Sequence, residues 1–471
     1  MHSRLISFYK SLATKTIMQR IELFISIFIF GLIIHFIGIT FLQFVVGIKA
    51  PFITLISLWK EIVILLLMGL IIWINVKRYG VAGWLDRITN DIYFKRLCIG
   101  VGGLIVITLI SSLINGSFGG HYIVAARYNF IPFIVLIIGY QVAQFISHGW
   151  IKGITHTYIL LIRWVIGLSI IRYFILSTLP GALKIVGYDR HVYEGKIGER
   201  PPAVYYAALD HGAPRNQFIW ERPIYFGFYL IAFWPLFFLL YVRKAPKTEA
   251  IFYGSLYMIA VFTTFSRSAW GVWLILTVIM GLLIYGRSSL KYLNYLLIPI
   301  LIGGALVGRY FYYELFGPGR NFSNTGHINA FFKARELLQS HWLWGVGAGS
   351  AGPASHQLGI GFNPENQYLQ IWLEYGIFGL IIWLILVGFL TISGGMKRGW
   401  NHITSYWANT YIDKRDNHRL VLLSCNLGLF GLALCGLVLH SWADKMVIRP
   451  LMMIYGLWLG TKKDKEPGGN K

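Results

Sequence analysis

Ile21–Gly47 reads IELFISIFIFGLIIHFIGITFLQFVVG, an apolar run broken only by one carboxylate, Glu22, and a few scattered polar groups such as His35. At 1.5 Å of rise per residue such a run crosses the ~30 Å hydrocarbon core of a bilayer, and in that core the backbone must satisfy its own hydrogen bonds inside a helix. Arg4, Lys10, Lys15 and Arg20 precede it and no small-residue cleavage site follows, so it reads as a retained first span and not a signal peptide. Runs of the same kind recur near Pro51–Asn75, Leu97–Leu113, Tyr128–Ile146, Thr157–Leu179 and Pro223–Val242. Six more lie near Ile251–Phe265, Ala269–Tyr285, Tyr292–Tyr312, Tyr368–Ser393, Leu420–Leu439 and Met446–Gly460. The expected fold is therefore an all-α integral membrane protein with about 12 transmembrane helices. Short alternating segments, the mark of a membrane barrel, are missing.

Composition agrees. Hydrophobic residues make up 56% of the 471 positions and charged residues 13%, against about 25% charged in a soluble domain. The formal charge of +23 invites a nucleic-acid reading, but its distribution argues against one. With the N-terminus inside, the inward segments hold 24 of the 42 Lys and Arg, among them Lys77, Arg78, Arg243, Lys244, Lys397, Arg398, Lys462 and Lys463, against 7 acidic residues. The outward segments carry a far more even mix. This is a positive-inside bias with both termini cytoplasmic, and no nucleic-acid partner is expected. Residues 1–463 read as one membrane domain with long outer loops at about 180–222 and 313–367, and residues 464–471 as a polar tail.

Several chemistries are not encoded. There is no phosphate loop, no Asp-x-Asp pair for a metal-bound nucleotide sugar and no His-Glu-x-x-His zinc motif, so neither a cofactor nor a metal is expected. Cys98, Cys425 and Cys435 fall in or beside spans and give no disulfide framework. Gly345-Val-Gly347-Ala-Gly349 looks like a dinucleotide fingerprint, but Ser350 stands where a third glycine belongs, and a tight turn is the simpler reading.

What remains is polar residues at the outer helix ends. Arg222 stands at the mouth of the sixth span, Arg267 between the seventh and eighth, Arg127 at the start of the fourth, and Arg172 within the fifth. An arginine at the hydrocarbon edge needs a partner, a wet cavity or a snorkelling position. Several at one depth repel each other unless an anion sits among them, and a diphosphate fits their planar forks. The second outer loop adds Arg320, His327, Lys333, Arg335, Glu336, His356 and Glu365, with Ala330–Leu338 spaced as a surface helix. Lys333, Arg335 and Glu336 also fit a solvated helix face, and loop histidines are commonly structural. Glu365, between Pro364 and the tenth span, is expected at the bilayer edge with a raised pKa suited to proton abstraction; its alternative is a helix N-terminal carboxylate.

Three stretches together resemble the bacterial O-antigen ligase and O-antigen polymerase superfamily. They are Thr263-Thr-Phe-Ser-Arg-Ser-Ala-Trp270; Ala334-Arg335 followed by Trp344-Gly345-Val-Gly347-Ala-Gly349; and Pro364-Glu-Asn-Gln-Tyr-Leu-Gln370 through Glu374-Tyr-Gly376-Ile-Phe-Gly379. All lie in a motif region at about 251–393. The resemblance implies a membrane glycosyltransferase of the GT-C-like kind in the bacterial cytoplasmic membrane, its active site facing outward. It would move a glycan linked to undecaprenyl diphosphate onto an acceptor glycan or glycolipid, inverting the anomeric carbon, without metal or cofactor. Membrane lipids and a chain-length regulator are the further partners expected. The ligase pattern, counted back from Gly376 and Gly379, places Asn366 at its second position and Glu365 where a histidine belongs. That departure favours a polymerase over a ligase; the Arg127–Gly139 spacing does not fit the polymerase loop cleanly. On this reading Glu365 is the general base. Arg222 and Arg267, with Arg127 or Arg172, hold the diphosphate, and Arg320, His327, Arg335, His356 and Asn366 belong to the substrate loop. A transporter or flippase, with arginines lining a path and no chemistry, is the rival class.

Overall fold

The apolar runs form helices because nothing in the hydrocarbon competes for their backbone groups. A computed structural model describes residues 2–49, 51–176, 181–188, 204, 206–207, 214–285, 318–392 and 417–461. Among them, Tyr206–Ala207 and Pro214–Arg215 form a two-residue antiparallel hairpin, and the ordered elements are otherwise helical. Seven helices are long and apolar enough to cross a membrane: Ile17–Phe44, Trp59–Asn90, Ile92–Ile114, His148–Ile175, Pro223–Val242, Gln367–Ile392 and Asn417–Cys435. Gly120–Asn129 and Ile131–Val142, bent by 55° at their junction, make an eighth if taken as one span.

The architecture is thus all-α and membrane-type, and the remaining expected spans are shorter helices or lie outside the described residues. The seventh is a 17-residue helix, Lys247–Thr263, and the eighth is Arg267–Tyr285, apolar over Arg267–Leu283. The twelfth, Lys445–Gly460, has 16 residues and buries nearly all of them in the middle of the bundle, away from lipid. The ninth, Tyr292–Tyr312, lies outside the described residues, as does the tail.

That last helix is the hub. It crosses Ile131–Val142 at a pair of glycines so closely that a Cβ on Gly456 would stand 2.4 Å from the Leu136 carbonyl oxygen, and one on Gly139 2.8 Å from that of Met453. Polar side chains fix its register: Trp458 donates to Thr155 Oγ1 at 2.8 Å, and Asn426 donates to the Tyr455 hydroxyl at 2.9 Å. Outside the bundle, the expected Ala330–Leu338 surface helix runs longer, from Pro318 to His341. It buries Ala334 and Leu338 against Ala351 and Leu373 and leaves Lys333, Arg335 and Glu336 exposed.

Candidate functional site

The Ser-Arg stretch forms a tight turn between two helices. Thr264 accepts from the Ser266 N–H at 3.3 Å, and Phe265 is turned to φ 48°, left-handed backbone that bulky residues rarely adopt. The strand residues before the sixth span dock onto this turn. Asn216 N–H donates to the Thr263 carbonyl at 2.7 Å, and Arg215 Nε donates to that of Thr264 at 2.9 Å. Phe218 next to it also has φ 48°. The docking delivers Arg222 to the N-cap of the helix opening at Pro223, while Arg267 is the first residue of the adjacent helix. One turn inward the two helices meet, where a Cβ on Gly227 would lie 3.1 Å from that of Ala269. Both arginines therefore stand at the same end of two packed helices, where the positive ends of the helix dipoles also point.

Glu365 is positioned by its neighbours. Asn366 caps the following helix, its Oδ1 accepting from Tyr368 N–H at 2.9 Å and Leu369 N–H at 3.0 Å, and its Nδ2 donating to the Leu437 carbonyl at 2.6 Å. Gln367 N–H donates to the Gly436 carbonyl at 2.9 Å. Held between these anchors, Glu365 takes φ 50°, a conformation costing about 1–3 kcal/mol that persists only where the surroundings enforce it. Phe218, Phe265 and Glu365 are the three non-glycine residues with positive φ among the described residues, and all flank this end of the bundle.

The surroundings of Glu365 correct one expectation. Its carboxylate meets His327 Nδ1 at 2.5 Å. That hydrogen bond outweighs desolvation and, with His440 and Arg222 nearby, holds the carboxyl below its ordinary pKa, not above it. His440, which the sequence reading missed, is buried, and burial pushes it down to about 4, so it stands neutral. His356 is exposed, and it too is lowered by desolvation, with Arg222 adding to the effect. Glu365, His327, His356 and Arg222 thus converge as a group.

The glycine-rich turn and the Glu374–Gly379 stretch interlock. Gly376 breaks its helix at φ 72°, and a Cβ there would stand 2.0 Å from the Leu343 carbonyl oxygen; one on Gly345 would stand 2.6 Å from that of Leu373. Glu374, fully buried, accepts from Asn129 Nδ2 at 2.8 Å and from the Gly349 N–H at 3.1 Å. These glycines serve close backbone packing.

The other candidate residues lie apart from Glu365. Arg127 sits in the last turn of Gly120–Asn129, its Nε 2.9 Å from Glu61. Arg449, from the hub helix and 1% exposed, reaches the same oxygen at 3.1 Å, and Lys60 lies 3.5 Å from the other. This knot of three cations on one carboxylate was not foreseen; an arginine inside an apolar helix was its one legible signal. Glu221 and Lys445 link it to Arg222: burial raises the Glu221 carboxyl, and Arg222 and Lys445 pull it back. Arg172 is buried and donates to the Val204 carbonyl, a structural tie. Arg335 faces outward from its helix. Arg320 opens that helix, and its side chain is outside the described ones.

The O-antigen ligase family matches residues 252–384, which include the Ser-Arg turn, the glycine-rich turn and the Pro-Glu-Asn-Gln stretch. Arg127, Arg172, Arg222, His440 and Arg449 lie outside the matched segment. No curated protein matches the chain. Residues 252–384, set in an all-α membrane fold, are thus similar to the O-antigen ligase family.

Proposed function

We propose that the chain transfers a glycan from a lipid-linked diphosphate donor to an acceptor hydroxyl at the outer face of the bacterial cytoplasmic membrane. The observation that carries this reading is Glu365: strained, hydrogen-bonded to His327 and within electrostatic reach of Arg222. Its lowered pKa leaves it ionised at neutral pH, ready to accept a proton, though as a weaker base than an unperturbed carboxylate. The acceptor oxygen attacks the anomeric carbon of the donor sugar as the bond from that carbon to the diphosphate oxygen breaks. The hydroxyl proton passes to Glu365. The diphosphate leaves with the bonding electrons, and its charge is met by Arg222 and Arg267 at two helix N-termini. Arg127 and Arg172, tied to Glu61 and Val204, are the weaker diphosphate candidates. Displacement from the face opposite the leaving group inverts the anomeric centre.

Two acceptors fit this chemistry. Glu365 in the place of the ligase histidine favours a polymerase, whose acceptor is a second lipid-linked glycan. The description of the matched family favours a ligase, whose acceptor is a glycolipid such as a lipid A core. Purified protein supplied with undecaprenyl-diphosphate-linked repeat units alone separates them. A ladder of longer lipid-linked chains identifies a polymerase, and product formed only after a glycolipid acceptor is added identifies a ligase. Donor binding with no transfer under either condition would remove the enzymatic reading and favour a flippase.

A further inference from the structure

A second built feature lies at the far end of the bundle. From Glu61 to its break at Gly80 (φ 69°, ψ 169°) the helix Trp59–Asn90 advances about 28 Å at 1.5 Å per residue, close to the ~30 Å hydrocarbon thickness. Beyond the break, the helix tail, the start of Ile92–Ile114 and the end of Ile131–Val142 line a half-open cavity of about 580 Å³. Gln141, 5% exposed, lines this cavity, and its carboxamide has no hydrogen-bond partner among the described residues. The Trp84 indole N–H, also in the lining, is buried without an acceptor among the described residues. Arg87 lines the cavity as well; it stacks over Tyr79 at 4.1 Å and pairs with no carboxylate among the described residues. The acid in the lining, Asp91, is already engaged by the Phe94 N–H at 3.0 Å and by the Tyr140 hydroxyl.

The free capacity of the cavity is therefore donor-rich and cationic. Lys77, Arg78, Lys95 and Arg96 are exposed around it. Val81, Leu85 and Ile92 are exposed apolar side chains on the same elements, as suits segments lying against lipid. A polar pocket with an apolar surround at the membrane boundary matches an amphiphile bearing an anionic head. We propose that the cavity seats the phosphate headgroup of a membrane glycerophospholipid. Arg87 pairs with the phosphate, Trp84 and Gln141 hydrogen-bond to phosphate or glycerol oxygens, and the acyl chains run out over Val81, Leu85 and Ile92. The charge asymmetry of the sequence puts this end in the cytoplasmic leaflet, where anionic lipid is available.

The test uses the full chain, stripped of lipid in detergent and titrated with dihexanoyl phosphatidylglycerol or with glycerol 1-phosphate, adducts being counted by native mass spectrometry. The expected result is one saturable phosphatidylglycerol site, weakened about tenfold or more by Arg87→Ala and by Gln141→Glu, which puts a negative charge where the headgroup sits. Arg87→Lys should restore part of the affinity, and the remote Arg335→Ala should leave it unchanged. The Lys variant also separates loss of charge from loss of fold. Equal binding by wild type, Arg87→Ala and Gln141→Glu overturns the assignment. So does glycerol 1-phosphate binding as tightly as the lipid, which would make this a site for a free anion, and so does the absence of any saturable lipid adduct.

Discussion

Glu365 and Glu61 stand at the same end of the bundle, yet their surroundings differ in kind. Glu365 sits on a loop with left-handed backbone, has a side chain 37% exposed, and is held chiefly by one histidine. Glu61 is helical, has a side chain 15% exposed, and is gripped by Arg127, Arg449 and Lys60. A carboxylate with one exchangeable partner and a path to solvent can take up and release a proton during a reaction. A carboxylate neutralising several desolvated cations is fixed in its ionised form, because protonation would leave those cations unpaired. On the proposed reading the first suits proton transfer, whereas the second clamps three helices together. The family match includes Glu365 and leaves out Glu61, in keeping with that division.

The comparison breaks if the two variants behave alike. Glu365→Gln should keep the melting temperature and the donor affinity while lowering turnover by roughly 10²–10⁴-fold, the usual loss when acid–base assistance is removed. Initial rates with saturating donor measure it, and Glu365→His should retain part of the activity. Full activity in Glu365→Gln would take this residue out of the mechanism. Glu61→Gln should do the reverse, since removing one member of a buried ion pair costs about 3–5 kcal/mol. The expected readout is a lower melting temperature in detergent, with the double variant Glu61→Gln, Arg449→Met recovering part of the loss. A Glu61→Gln protein as stable as wild type would show the knot to be loosely held.

A smaller effect separates Arg222 from the arginines tied elsewhere. Arg222→Ala should weaken binding of the lipid diphosphate as well as turnover, and Arg222→Lys should rescue only part, because an ammonium lacks the bidentate fork. Arg172→Ala should instead lower stability, through loss of the tie to Val204, with donor affinity unchanged. Isothermal binding of donor to the detergent-purified variants decides between them.

These contrasts also mark what the sequence could reveal. The place of Glu365, just before the Gln367–Ile392 helix, was legible because its motif is local: Asn366 caps that helix through bonds to Tyr368 and Leu369. The all-α membrane character was legible because spanning length and hydropathy are local too. The burial of the Lys445–Gly460 helix was not legible, because an apolar segment of 16 residues looks alike whether lipid or other helices surround it. The Glu61 knot joins the second helix, the bent pair and the hub helix, and spacing in sequence carries no trace of that convergence. His440 was hidden for the same reason. The pKa of Glu365 is lowered and not raised because a hydrogen bond from His327 outweighs burial, and His327 stands on a surface helix whose docking only the tertiary fold supplies.

The His327 contact gives the finest test of Glu365. Because hydrogen bonding holds the folded-state pKa below the unfolded value of about 4.3, the carboxylate binds fewer protons when folded than when unfolded across the interval between the two. Its contribution to stability is therefore fully present above about pH 4.3 and is lost as pH falls through the lower, folded-state value. Activity that needs the ionised base should show its acid limb below the ordinary carboxylate range. Deleting the hydrogen bond in His327→Ala leaves desolvation as the main influence, so the acid limb of turnover should move to higher pH, with only a modest loss of rate on the plateau. Rate profiles from pH 4 to 8 for both proteins measure the shift. An unchanged acid limb would mean that the contact does not tune the base and that His327 only docks the surface helix. A collapse of rate at every pH would instead make the histidine itself essential to proton transfer.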